Sequence, residues 1–370
     1  MRRAVSIALA ALTPACALLI QIDDYVLVEA DAGDAAGDVA PRDATDATDI
    51  PVDAEPDAPD AAPLACTPCA GPSSAVCGLS CSETSPTLVA LDGARLLWLA
   101  GGTTVRAAPT SGSTAASTFA TLPSTPVSMV ATAGVLAWAD SVTVRANPLD
   151  GGAPVALRAS EPNVSSLAGP PPAVAPGMLF WSTTTTIRRC LISNCSTTTI
   201  DQIPSQESPT SLATGFDGQY PYGAWVNRGV ATRTVQGAAL IGGIVVEPLG
   251  QDPTMTAVLA IEPSGKQKVF YVTTNGAASQ IWEANVGIVT SIAAPIRAMV
   301  ALGSSLWVLA GDFNDPKLGR LVRYAFPGPA RTDLAVGLDD PQRLAVDATS
   351  AYWTQRGSGG AKGAVFRVAR

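Results

Sequence analysis

The stretch TLVALDGARLLWLA, residues 87–100, decides the fold: a short apolar run, a turn at Asp92-Gly93, then a second apolar run carrying one large aromatic, Trp98. Small and β-branched residues on either side of an Asp-Gly pair read as two short strands joined in a hairpin. The pattern recurs as SMVATAGVLAWAD (128–140), PAVAPGMLFWS (172–182), SLATGFDGQYPYGAWV (211–226), AVLAIEPSGKQKVFYV (257–272), MVALGSSLWVLA (299–310) and RLAVDATSAYWTQ (343–355). Its aromatic anchors are Trp98, Trp138, Trp181, Trp225, Tyr271, Trp307 and Trp353, about 42 residues apart on average. A third strand follows most anchors, as in VTVRANPL (142–149), TIRRCLI (186–192), QIWEANV (280–286), RLVRYAF (320–326) and AVFRVAR (364–370), and a weaker fourth follows that.

A repeat of that length with four short strands is a propeller blade. The expected fold is therefore all-β, a β-propeller over residues 84–370 with seven four-stranded blades, or six if the divergent repeats around Trp225 and Tyr271 merge. Each anchor is expected to sit between neighbouring blades, and alternation in VTVRA and VFRVA is expected to bury valine and phenylalanine while turning arginine outward. The seventh repeat reaches only its third strand at Arg370. An unfinished blade exposes an edge, so a segment from elsewhere should complete it, and the residues between the cysteine cluster and Thr87 are placed to do so.

Composition agrees with many short strands: 33 glycines and 30 prolines punctuate a chain that is 47% hydrophobic and only 15% charged. The net charge of −8 is unevenly distributed. Thirteen of the 31 acidic residues lie between Asp23 and Asp60 against one base, Arg42, whereas the chain beyond residue 60 holds 20 bases and 18 acids. The propeller is thus close to neutral and has no basic stripe for nucleic acid.

Arg2 and Arg3, then an apolar stretch from Ala4 to about Leu12, then small residues, form the layout of an export signal over residues 1–15. LTPAC, residues 12–16, resembles the lipobox of bacterial lipoproteins, which implies lipidation of Cys16 as the mature N-terminus. An ordinary cleaved signal is the competing reading. Residues 16–63 then form an Ala/Asp/Pro-rich linker, expected to be disordered because it has no apolar periodicity and repels itself. Without Cys16 six cysteines remain, an even set that can pair fully in an oxidising compartment. Cys66, Cys69, Cys77 and Cys81 form a knot over residues 64–83, read as two disulfides of open connectivity. Cys190 and Cys195 read as a local staple at a hairpin tip.

At AYWTQ, residues 351–355, Tyr352, Trp353 and Thr354 resemble the YWTD repeat of YWTD-type propellers, and the arginine-bearing third strands with turns such as PLDGG (148–152) are similar to the same group and to NHL-like propellers. Gln355 stands where that motif has aspartate, and seven repeats stand where it has six.

Histidine is absent, which removes Ser-His-Asp and Cys-His machinery and most catalytic zinc sites. The acid pairs Asp339/Asp340 and Asp312/Asp315 could serve a hydrolase only if they converged on the channel. Asp312, Asn314 and Asp315 in GDFNDPKLG are weak calcium candidates without a recognised loop spacing. No catalytic residue and no cofactor is assigned. The expected role is an extracytoplasmic, lipid-anchored binding or scaffold module at the cell envelope, at the outer membrane or cell surface, or else periplasmic or secreted. Its partner would be a protein or glycan at the propeller face. The alternative is a propeller-type hydrolase or lyase using carboxylates, with or without a metal.

Overall fold

A computed structural model of the chain describes residues 63–70, 75–170, 177–196, 201–204, 206–216, 220–229, 232–239, 246–262, 268–275, 278–311, 319–326, 330–357 and 362–370. The expected export signal, Cys16, the expected linker as far as residue 62 and the Asp312/Asn314/Asp315 loop lie outside them. No helix among the described residues is long and apolar enough to cross a membrane.

The first strand, β1 (Cys77–Glu83), is followed by six complete blades and the three strands of a seventh. Blade 1 holds β2 (Val89–Asp92), β3 (Arg95–Ala100), β4 (Thr104–Pro109) and β5 (Ser117–Thr121). Blade 2 holds β6 (Ser128–Thr132), β7 (Val135–Ala139), β8 (Val144–Pro148) and β9 (Val155–Arg158). Blade 3 holds β10 (Ser166–Ala168), β11 (Met178–Ser182), β12 (Ile187–Leu191) and β13 (Asp201–Ile203). Blade 4 holds β14 (Pro209–Phe216), β15 (Pro221–Arg228), β16 (Arg233–Ala239) and β17 (Glu247–Gln251). Blade 5 holds β18 (Met255–Ile261), β19 (Val269–Asn275), β20 (Ala278–Glu283) and β21 (Gly287–Ile292). Blade 6 holds β22 (Ile296–Leu302), β23 (Ser305–Ala310), β24 (Arg320–Ala325) and β25 (Ala330–Val336). Blade 7 holds β26 (Pro341–Val346), β27 (Ser350–Gln355) and β28 (Gly363–Ala369), with β1 as its outermost strand.

Every blade is an antiparallel sheet of four strands, and its first strand neighbours the first strand of the next blade until β26 returns to β2. Seven blades therefore close one ring. The hairpins follow from turn chemistry. Between β6 and β7, Ala133 and Gly134 both take positive φ (48° and 76°), which twists the turn the way the paired strands twist. In blade 3 the first strand is Ser166–Ala168, and the PAVAP run lies outside the described residues.

All six tryptophan anchors are fully buried, and Tyr271 is 7% exposed. Burial of such a ring contributes roughly 2–3 kcal/mol. Trp98 packs toward blade 7, Trp138 toward blade 1, Trp181 toward blade 2, Trp225 toward blade 3, Tyr271 toward blade 4 and Trp353 toward blade 6. Trp307 is turned the other way. It shares the blade 6–7 core with Trp353, while its neighbours Leu306 and Val308 face blade 5.

The third-strand arginines do not point outward. Register places Arg106 opposite Trp98, Arg145 opposite Trp138, Arg188 opposite Trp181 and Arg323 opposite Trp307, on the same face of each sheet. The guanidinium carbons of Arg145 and Arg323 lie 5.7 Å from the tryptophan ring centroids. Both faces of a blade meet a neighbouring blade, so alternation separates two interfaces and not inside from outside. The arginine stems cover the rings and carry their charge to the edge of the seam. Arg367 on β28 is only 6% exposed, donating to Ser350 Oγ and to the carbonyl of Ser111, both at 3.1 Å.

The ring is closed by the cysteine knot itself. Cys77 pairs with Arg367 and Gly78 with Phe366 across β1 and β28, so the closing strand begins inside the cluster and not after it. Leu79 supplies the reason, since it fills the blade 7–1 core beside Trp98 and Tyr352. Disulfides Cys66–Cys81 and Cys69–Cys77 bind β1 to the segment before it. A side chain at Gly78 would collide with both Cys66 Sγ and Cys81 Sγ. Cys190 and Cys195 form the third disulfide, buried in the blade 2–3 core around a short 3-10 turn, Ile192–Asn194.

Candidate functional site

Antiparallel order fixes two faces. The first strand of each blade starts, and the second ends, on what is here the upper face; the turns joining first to second and third to fourth strands lie on the lower. Near the upper ends of the first strands, serines stitch neighbouring blades together. Ser128 Oγ accepts the amide of Leu167 at 3.0 Å, Ser166 Oγ accepts that of Leu212 at 3.2 Å, and Ser211 Oγ donates to the carbonyl of Ala257. On blades 6 and 7 the corresponding ends carry arginine.

Arg297 on β22 donates through Nε to the carbonyl of Gly311 at 2.9 Å. Arg343 on β26 donates through Nη1 to the carbonyl of Gln342 at 3.1 Å. Neither has a carboxylate partner among the described residues. Burial holds the Arg343 guanidinium below its ordinary pKa, and the like charge of Arg297 adds to the effect. Arg343 nevertheless keeps an exposed surface. Protein walls surround it without covering it, which is the position of a group at a concave mouth.

Beside Arg343 the upper face opens into a cleft of about 390 Å³ where blades 7, 1 and 2 meet. Ser85, Thr87, Thr125, Gln342, Arg343 and Arg356 give it polar walls, and Leu88, Leu99 and Pro126 an apolar floor. Behind the wall, Asp340 is buried at 1% exposure and paired with Arg356 at 2.6 Å. It also accepts Gln342 Nε2 at 2.7 Å and is held at a φ of 53°. Asp340 is thus engaged in fixing Arg356 and Gln342, which leaves it poorly placed as half of a catalytic pair with Asp339. On all seven first strands the one carboxylate is Asp92, at the lower end and paired with Arg95 at 2.6 Å. Among the described residues no group of three or more acidic or cysteine side chains is arranged to hold a metal ion.

Sequence reasoning missed Arg297 and Arg343. The signal is a repeated triplet, Pro295-Ile296-Arg297 and Pro341-Gln342-Arg343, spaced like Trp307 and Trp353 and set where other blades read Pro126-Val127-Ser128 or Pro209-Thr210-Ser211.

No family model and no curated protein matches the chain. Among solved structures it is similar to a chain in the crystal structure of the mitotic checkpoint complex, at 13% identity over 84% of this chain and 98% of that one, with a TM-score of 0.57. It is similar to the Neurospora crassa Pan2 WD40 domain at 8% identity over 80% and 96%, with a TM-score of 0.54. The computationally designed Ika8 protein aligns at 12% identity over 78% and 98%, with a TM-score of 0.50. At these identities the likeness is one of fold, the β-propeller that the seven blades already display.

Proposed function

We propose that this chain is an exported, membrane-tethered β-propeller that recognises a ligand on its upper face. The observation that carries the reading is the cleft there beside Arg343, whose guanidinium has no carboxylate partner among the described residues. Arg297, Arg343 and the cleft lie over blades 6, 7 and 1, and exposed Val127 and Val142 adjoin them on blade 2. Asp140 ties the two valine loops together, accepting Ser124 Oγ at 2.5 Å and the amides of Val142 and Thr143. Burial alone would raise the Asp140 pKa, but these bonds outweigh it and hold the carboxyl below its usual value. An isolated exposed valine means little; two beside a charged cleft on a rigid ring make a surface suited to a partner.

Three disulfides favour an oxidising, extracytoplasmic compartment. The lipobox-like LTPAC supports Cys16 as the lipid site, with the acidic segment to residue 63 as spacer. Kinship with YWTD-type propellers draws support from Thr354, whose hydroxyl bonds the carbonyl of Thr87 at 2.6 Å and links blade 7 to blade 1, and from Tyr352, which donates to Asp347 at 3.0 Å.

A photo-crosslinking residue placed at Val127 or Val142 in the native envelope should capture one common partner, and one at Val286 on the lower face should not. Equal capture from Val286, or none from the upper positions, overturns the reading. Intact mass of the mature protein tests the tether: it should begin at Cys16 and carry a diacylglyceryl group.

A further inference from the structure

The blade 7–1–2 cleft has a chemistry that narrows its ligand, and the narrowing rests on the proposed role of the upper face. Arg343 provides one guanidinium with a single donor engaged, by the carbonyl of Gln342. Its remaining N–H groups have no acceptor in the described structure, and no carboxylate lines the cleft. A planar guanidinium fork is matched by a carboxylate, which accepts two parallel hydrogen bonds. An anion docked there would also relieve the repulsion from Arg297, which works against the Arg343 charge.

The remaining lining speaks to the body of the ligand. Ser85, Thr87 and Thr125 bring three hydroxyls, each able to donate and accept, and Gln342 brings a carboxamide oriented by Asp340. Leu88, Leu99 and Pro126 add an apolar surface against which the C–H face of a sugar ring can lie. A volume of about 390 Å³ is at the lower end of the roughly 300–1,000 Å³ of ligand pockets, enough for one or two sugar rings. The walls are pre-set: Ser85 and Asp340 are both held at positive φ, at 43° and 53°, a backbone cost that persists only where surrounding structure enforces it.

We propose that this cleft binds an acidic sugar of the uronic type, its carboxylate on Arg343 and its ring hydroxyls on Gln342, Thr87 and Thr125. A peptide C-terminus is the lesser fit, since it is normally held by backbone amides or by strand addition along a sheet edge, and side chains dominate this lining.

Titration calorimetry on the full chain tests the assignment with glucuronate, glucose, inorganic sulfate and N-acetyl-leucine. Glucuronate should bind at least ten-fold more tightly than each of the other three. Arg343→Gln should weaken glucuronate at least ten-fold with the melting temperature unchanged, whereas Arg331→Gln, on the outer strand of blade 6, should leave it unaltered. No glucuronate binding at tens of millimolar, equal binding by Arg343→Gln, sulfate as tight as glucuronate, or preference for N-acetyl-leucine each overturns the proposal. If crosslinking from Val127 and Val142 still captures a partner in that event, the upper-face reading stands and only the ligand class fails.

Discussion

The seams on the two sides of blade 6 are built from different material. Between blades 6 and 7, Trp307 and Trp353 share one core with Phe366 and Leu344, and Trp353 stacks on Phe366 at 5.3 Å. Between blades 5 and 6 none of the seven anchors is present. Phe270, Met299, Tyr324 and the small branched residues Val272, Ile281 and Val308 fill it instead, with Phe270 stacked on Phe326 at 5.4 Å. A one-residue change of phase on β23 moves a tryptophan from one seam to the other, because successive side chains on a strand face opposite ways. The ring tolerates the move since the vacated seam is repacked with enough volume to stay closed. What each blade must contribute is buried bulk, and the neighbour that receives it can vary.

Cutting both seams from a single strand gives the sharpest test. Trp307→Ala should cost about 3–5 kcal/mol and Leu306→Ala about 2–5 kcal/mol in denaturant unfolding. In double-mutant cycles Trp307→Ala should couple to Trp353→Ala, and Leu306→Ala to Phe270→Ala, by about 0.5–3 kcal/mol, with crossed pairs additive within about 0.5 kcal/mol. Coupling between Trp307 and Phe270 would break the distinction between the seams.

The double-anchored seam is also sealed from outside, because Leu64, Cys66 and Val76 pack on its core. Loss of Cys66–Cys81, which closes a separation of 15 residues, should therefore lower stability by about 3 kcal/mol on chain-entropy grounds. A Cys66→Ser/Cys81→Ser variant measured by calorimetry checks this. Hydrogen exchange should rise first in β1 and β28 and stay low in β19 and β23.

The smallest effect concerns Tyr271, the anchor preceding the seam that lacks one. Burial, with help from the Asp252 charge, pushes its pKa up to about 12. The folded state favours the neutral phenol, so its contribution is whole below the unfolded value of about 10 and is lost as pH rises toward 12. Thermal melts across that window should fall less steeply for Tyr271→Phe than for the parent chain.

The blades were legible because each repeat places one large aromatic in a second strand behind a turn, and that much survives divergence even at Tyr271. The direction of Trp307 was not legible. A propeller blade buries both of its faces, so the alternation that marks the core side of a sandwich strand says nothing here about which neighbour a residue meets. The same ambiguity turned Arg145 and Arg367 outward in the reading of the sequence, although register sets them opposite the buried rings of Trp138 and Tyr352. The proposed recognition groups were hidden for another reason. Arg297 and Arg343 lie 46 residues apart in a nearly neutral domain, and only the packing of one blade on the next brings β22 beside β26. Their Pro-x-Arg triplets acquire meaning once the start of each first strand is known to line the channel mouth.

The pairing of β1 with β28 also sets an order of events during biosynthesis. The strand that completes blade 7 is made within the first 83 residues, and its partner only in the last eight. At about 5–20 residues per second, the two are separated by on the order of tens of seconds. Blades 1 to 6 are runs of local hairpins that can form as they emerge, and both knot disulfides join cysteines available before any blade exists. The clip at the leading end can thus form while the ring is still open, and the ring stays open until Gly363–Ala369 arrives. A product stalled before that point keeps an unpaired β1 and an open seam, so a single strand edge distinguishes a closed ring from an open one.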